Sequence, residues 1–523
     1  MSETSAQKSV IYAIGIGGSG AKCIESLAYL SAIGMLGNSD LNVLLVDADS
    51  TNGNSQDTIR CLTRCEKVHD IVRQGISKFM QGDYKSCSSW NPLAVGANNK
   101  SLEEIFLVSS MRSEDPSLGD LFDALYSPEE RSAKLNVGFR GRPPIGSAVF
   151  SRLNFKYTEK AEEVVDDTFI WPKYLSSILS DVSGKKDITI HLFGSLFGGT
   201  GAAGVPTIAR KIDEYLRGDN GKLTDYRNKI RLNASLLLPY FEFDKPQDSK
   251  SSVFAEVKDF PINTQAALQF LAMHSQQTFN GVYLVGNRDN TRYNASTGNN
   301  KQHNEANIVE VYAALAVAHG IEIKLDENDK KKDKKFEVSY ISRKSEDRFR
   351  WEDLPNGVRG ASPEQHFATA IRFAFAWKHN FALELEQALN DPSGFTRGAP
   401  WFGRFFKSPM RYTKENLPSI KDEYHHVKTI SDWCDFFLEW AHEIGNTTAL
   451  DPSNRLFIHA DKEPKRDYFN DMAPIVIDKI SKSEKSSLNL DEIKCKLADQ
   501  KHPDGELGIA LLVHSLFRQI YSL

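Results

Sequence analysis

The sequence predicts an α/β protein: a mostly parallel sheet flanked by helices, followed by an α-rich C-terminal domain. Three observations predict it. Short β-type runs alternate with helical patterns from Ser9 to about Gly320, as in sheets covered on both faces. Two of those runs end in glycine-rich loops that lead straight into helical patterns, at Gly15–Gly20 and Leu196–Gly204. From Pro363 onward the apolar spacing is mainly helical.

Bulk composition narrows the function classes. The chain has 523 residues, room for roughly two to four domains. It is 40% hydrophobic and 25% charged with net charge −5, so it is no general nucleic-acid coat. No apolar run approaches bilayer length, and Met1–Lys8 holds no signal-peptide core. The expectation is a cytoplasmic protein without a membrane span. Six cysteines in so long a chain are no disulfide scaffold. Cys61, Cys65 and His69 would share a helix face, as in part of a zinc site, but no fourth ligand is evident. The segment reads equally as a plain surface helix, and no metal centre is expected there.

Taken in order, Ser9–Ile14 is the first strand. Gly15-Ile-Gly-Gly-Ser-Gly20 follows and opens a helix carrying Lys22, Cys23, Ile24, Leu27 and Leu30. A strand feeding a glycine loop at a helix N-terminus is a phosphate cradle in general form. The second strand, Leu41–Val46, ends in Asp47-Ala-Asp49, where ligands meet the C-terminal ends of parallel strands. Those carboxylates would hold a ribose or hold Mg²⁺ through water; the alternative is a helix or turn cap made by Asp49, Ser50 or Asn52. From Thr51 to Glu130 the chain is polar and mixed, with short helical patterns at Ile71–Met80 and Leu121–Tyr126. Asn136–Ser147 reads as a basic, non-helical loop in which Arg140 and Arg142 either meet phosphate or are solvated loop charges. A helix over Trp171–Leu179 precedes the apolar run Ile188–Phe193.

The second glycine loop then places Gly198, Gly199, Thr200, Gly201 and Ala202 ahead of a helix through Val205, Ile208 and Ile212. Its alternative reading is a tight packing turn. Ile230–Pro239 and Gly281–Gly286 are further strands. Pro261-Ile-Asn263 opens a helix, and Asn304–Ala318 reads as a strongly apolar central helix. The boundaries expected are 1–320 for the α/β domain, 321–355 for a charged connecting segment and 356–523 for the α-rich domain. Aromatic clusters in the last part (Trp401, Phe402, Phe405, Phe406; Trp433, Phe436, Phe437, Trp440) read as core or interface.

Two separate glycine loops resemble those of the tubulin/FtsZ superfamily. Gly15–Gly20 is similar to the family's Gly-x-Gly-Gly-x-Gly. The core Gly198-Gly-Thr-Gly201 matches its signature loop, with Phe197, Ala202 and Ala203 replacing two glycines and a hydroxyl residue. Val46–Asp49 resembles the acidic loop, Gly138–Gly146 the third loop, and Pro261–Asn263 the family's Pro-Tyr-Asn. The fit is best to the divergent bacterial tubulin-like proteins. The resemblance implies a GTP/GDP-binding protein that uses Gly17, Gly18, Ser19, Gly20 and Lys22 with Gly198–Ala202 for the phosphates. Asp47, Asp49 and Arg142 would lie near the terminal phosphates and Mg²⁺. Asn263 and Asn304 would read guanine, with Asn307 as the alternate; a helix cap is the competing role for each Asn.

The resemblance also implies slow GTPase activity coupled to self-association. Asp326 and Asp329 fall where polymerising members carry a trans-acting acid, although the family's pattern there is absent. The alternative is a nucleotide-dependent scaffold whose C-terminal domain binds a protein partner. A Rossmann-type oxidoreductase leaves the second loop and both asparagines unexplained. Gly194–Gly198 lacks the spacing of a nucleophile elbow, which disfavours a serine hydrolase.

Overall fold

The computed structural model describes residues 8–73, 75–93, 100–153, 155, 170–218, 224–243, 255–287, 290–294, 299–323, 325, 337–339, 349–391, 399–408, 416–449, 451–457, 470–476, 488–499 and 507–521. Seven strands form one sheet: β1 (Ser9–Ile16), β2 (Asp40–Val46), β3 (Tyr84–Trp90), β4 (Asp187–Ser195), β5 (Ile230–Leu237), β6 (Gly281–Val285) and β7 (Glu337–Ser339). Their order is β7-β6-β5-β4-β1-β2-β3, and every neighbouring pair is parallel. Chain order therefore runs outward in one direction from β1 and in the other from β4. The switch point lies between those two central strands.

Side-chain alternation along β1 assigns the two faces. Ile11 and Ala13 join one apolar cluster, while Val10, Tyr12 and Ile14 join the other. On the second face lie α3 (Pro143–Ser151), α4 (Ile170–Ser183), α5 (Gly199–Arg217) and the inner side of α6 (Phe260–Thr278), through residues such as Ile145, Leu175, Ile208 and Leu271. On the first face lie α1 (Gly17–Ala32), α2 (Gly53–Val72) and α7 (Ile308–Glu322). Helix α7 is buried nearly all round, as expected of a helix packed on both sides.

Its outer cover comes from the C-terminal part: α8 (Pro363–Ala376), α9 (Ala382–Asn390), α10 (Ile420–Thr448), α11 (Leu490–Asp499) and α12 (Gly508–Tyr521). These helices share one apolar core with α1, α2 and α7. Phe367, Trp433, Trp440 and Phe517 are in that core, and Tyr29 of α1 sits 4.8 Å from the Trp440 ring. Polar ties fix the layer. His366 Nδ1 donates to Ile33 O at 2.7 Å, and His514 Nε2 donates to Val72 O at 3.0 Å while its Nδ1 accepts from Ser77 Oγ. Arg64 pairs with Asp432 and covers the half-exposed Phe436 ring.

Several sequence expectations shift. The helix expected at Ile71–Met80 is instead α2, ending at Val72. Pro143 and Pro144 do not keep the third loop open: they are the first residues of α3, where a missing N–H costs nothing. Strand β3 falls in the stretch that reads as polar and mixed, and β7 is described at Glu337–Ser339, within the possible strand Phe336–Ile341. Asp326, Asp329 and the run 330–335 lie outside the described residues.

Candidate functional site

Ile16 of β1 pairs with Gly194 of β4, so the loops after these strands emerge side by side at the switch point, where open α/β sheets bind ligands. Gly20 has no room for a side chain, since a β-carbon there would come within 2.6 Å of Phe193 O. This absence seats α1 directly on the sheet. Gly17 adopts φ +73°, and its missing β-carbon would lie 3.2 Å from Thr200 Cβ. The two glycine loops therefore touch. Gly18, Ser19, Gly198 and Thr200 form the half-exposed lip, above buried Gly17, Gly20, Gly199 and Gly201. Ala202 is buried, and its N–H donates to Gly198 O at 3.3 Å.

Three helices begin here without a side-chain cap: α1 after Ile16, α5 after Gly198 and α3 after Arg142. The first-turn N–H groups of α1 and α5 have no acceptor within the helix and carry the positive end of its dipole, whereas α3 opens with Pro143 and Pro144, which have no N–H. The third loop abuts the second, because a β-carbon on Gly199 would lie 3.0 Å from both Arg142 N and Phe139 Cβ. It also approaches the acidic loop, because a β-carbon on Gly138 would lie 3.7 Å from Asp49 Cβ. Arg142 pairs with Asp259 at 3.4 Å, and its Nε is buried without a partner among the described residues. Arg140 donates to Lys134 O.

Asp47 is buried, accepts from Asp49 N at 3.1 Å and faces Ser55 Oγ at 3.4 Å; burial pushes its carboxyl up to about 7. Asp49 Oδ1 accepts from Thr51 N and Thr51 Oγ1. Among the described residues, no three His, Cys, Asp or Glu side chains group as a metal site. Cys61 and Cys65 are buried, and His69 lies 3.3 Å from Asp83.

The remaining expected contacts sit as follows. Asn263 Nδ2 donates to Phe197 O at 3.1 Å and to Gly141 O at 3.3 Å, tying the second loop to the third. The apolar helix begins at Ile308, four residues later than expected. Asn307 caps it by accepting from Val309 N, and Glu310 completes a capping box, which sets the start. Asn304 therefore precedes the helix, and its N–H donates to Asn54 Oδ1 at 2.8 Å. Lys22 points into the core, where it pairs with Glu25 close to Glu310 and Glu443. Phe197 is an anchor: its ring stacks among Phe260, Phe241 and Tyr240, the nearest centroid at 4.6 Å. His191 is buried against Ser235 Oγ at 2.8 Å, and burial lowers its pKa to about 3.

At the start of α2, Asn52 is the cap that the sequence offered, and Asn54 is the residue it did not single out. Asn52 and Asn54 are 4% and 1% exposed, and the space left by Gly18 opens onto both: a β-carbon there would lie 3.0 Å from Asn54 Nδ2. Asn52 Nδ2 donates to Gln302 Oε1, and Asn54 N donates to Gln302 O. The signal available was Asn52-Gly-Asn54 directly after an acidic strand end.

No family model and no curated protein sequence matches the chain. Among solved structures it is similar to the GTPγS-bound protofilament of CetZ2 from Haloferax volcanii (12% identity, 53% of this chain and 48% of that chain, TM-score 0.25). It is also similar to TubZ of Clostridium botulinum phage c-st (11%, 59% and 57%, TM-score 0.26) and CetZ from Methanosaeta thermophila (11%, 54% and 46%, TM-score 0.23). The chain spans about half the length of the solved structures it matches. At such scores the likeness carries no functional weight.

Proposed function

We propose that this chain is a tubulin-like guanine-nucleotide-binding protein. One observation carries the reading: two glycine loops meet at the switch point between β1 and β4, each opening an uncapped helix. Orphan N–H groups beside half-exposed Ser19 and Thr200 suit a phosphate chain. Arg142 Nε and Asn54 Nδ2, buried and without a partner among the described residues, fit the same ligand, since buried donors are rarely left unpaired. In this reading Gly17–Gly20 and Gly198–Ala202 cradle the phosphates, and Arg142 approaches the terminal one. Asn304 would read the base, while Asn263, whose Nδ2 donates to Phe197 O and Gly141 O, is better explained by tying the second loop to the third than by reading guanine. Mg²⁺, which would neutralise phosphate charge, would be held through water near Asp47 and Asp49. Lys22 is better explained by its ion pair with Glu25 than by phosphate.

For turnover, the reading is slow GTP hydrolysis that rises with self-association. A second reading, a nucleotide-dependent scaffold with little hydrolysis, is favoured by Phe197, whose ring is committed to packing. Phosphate release measured against protein concentration separates them. Specific activity that climbs steeply with concentration supports assembly-coupled hydrolysis. No release at any concentration, with GTP bound, supports the scaffold. Failure to bind GTP or GDP at all overturns the reading.

A further inference from the structure

Asn54 has a role that capping does not explain. Asn52 is the N-cap of α2, accepting from Asn54 N at 2.9 Å. Asn54 lies inside the first turn and is 1% exposed. Its oxygen is committed, because Asn304 N–H donates to it at 2.8 Å. That contact fixes the amide orientation, since a backbone N–H requires the oxygen and not the NH₂. The NH₂ therefore faces the other way. It is buried, without a partner among the described residues, and lies 3.0 Å from the β-carbon position that Gly18 leaves empty. A buried amide donor without an acceptor is costly. This one is aimed at the first turn of α1, whose own N–H groups are uncapped.

We propose that Asn54 is a phosphate-contacting residue of the site: its Nδ2 donates to an oxygen of the nucleotide's phosphate chain lying over Gly18. The inference rests on the nucleotide reading above and adds a contact from the α2 side. It also gives the segment 302–304 a function. Asn54 bonds the ligand through one end of its amide and the Asn304 backbone through the other, so the ligand and this segment hold the same side chain in place. A β-carbon at Gly18 would crowd Asn54 Nδ2 at 3.0 Å and meet the Asn52 amide at 3.4 Å, so side chains larger than alanine would fill the space over the Asn54 NH₂.

The test is Asn54→Asp in the full chain. Aspartate keeps the size and the acceptor for Asn304 N–H but replaces the donor with a negative charge facing phosphate. Isothermal titration with GTP and GDP is expected to show affinity about ten- to a hundred-fold weaker than wild type, with circular dichroism and melting temperature retained. Should that variant fold poorly, the wild-type protein gives an independent readout. The Asn54 side-chain NH₂ resonances, assigned with Asn54→Ser, are expected to shift on adding GDP. Affinity within twofold of wild type for Asn54→Asp, or resonances unmoved by bound GDP, would overturn the inference and leave nucleotide binding standing. Wild-type protein that binds neither nucleotide would overturn the parent reading, and this inference with it.

Discussion

Helices α1 and α5 start bare, whereas α2 and α7, which begin close by, are closed by their own asparagines. Asn52 and Asn307 each accept from a first-turn N–H. Ile16 and Gly198 provide nothing. A cap of this kind contributes about 1 kcal/mol, so leaving two adjacent helices uncapped at the centre of the sheet forgoes stability. The contrast lies in capping and not in space, since Gly53 at the capped start of α2 is packed as tightly as Gly17 and Gly18. Under the proposed function this is a division of labour: capped ends hold the framework, and bare ends are kept for the nucleotide.

The comparison breaks most severely at Gly201. A β-carbon there would come within 2.7 Å of both Ser195 O and Ser195 N, backbone atoms that cannot step aside. Gly201→Ala is expected to destroy the cradle: no GTP binding by titration, and a clearly lower melting temperature. Phe197→Ala should cost about 3–5 kcal/mol in denaturant unfolding, because its ring fills the aromatic cluster under the second loop. Asn307→Ala should cost about 1–2 kcal/mol through the lost cap, with guanine over adenine preference unchanged in competition binding. A loss of base preference in that variant would move the base-reading role from Asn304 to Asn307. Thr200→Val should leave the melting temperature unmoved yet weaken GTP binding about tenfold, the reverse of the cap mutation.

The smallest expected effect is in pH. Glu443 of α10 accepts from Ala306 N at 2.7 Å, just ahead of α7, and burial pushes its carboxyl up to about 7 from 4.5. Glu310 is raised likewise to about 7. The folded state holds these protons more tightly than the unfolded chain. Their contribution is therefore complete below about pH 4.5 and is lost as pH rises through about 7. Glu443→Gln keeps the acceptor and should flatten the fall in melting temperature across that window. An unchanged slope would show that Glu443 does not titrate there.

Much of this was legible in the sequence because backbone constraints leave composition marks. Gly15–Gly20 and Gly198–Gly201 are small because helices pack on strands there, and Asp47 marks a strand end. The rest was hidden for physical reasons. Strand β3, Tyr-Lys-Ser-Cys-Ser-Ser-Trp, is an edge strand and lacks the apolar run of a central one. Pro143-Pro144 reads as a breaker although proline is favoured at a helix start. The start of α7 was misplaced because Asn304 and Asn307 are equivalent to a pattern, and only the Asn307–Glu310 capping box separates them. That the C-terminal helices share a core with α1, α2 and α7 depends on tertiary docking, which no local spacing encodes.

The central claim is that the bare ends of α1 and α5 together hold a guanine nucleotide by its phosphates. Its most direct test is to purify the chain, denature it in acid and identify by ion-exchange chromatography what is released, with the stripped protein then titrated with GTP, GDP and ATP. The account predicts GDP or GTP near one per chain, or saturable rebinding of both with ATP much weaker. Protein that carries no nucleotide and binds neither GTP nor GDP would contradict it.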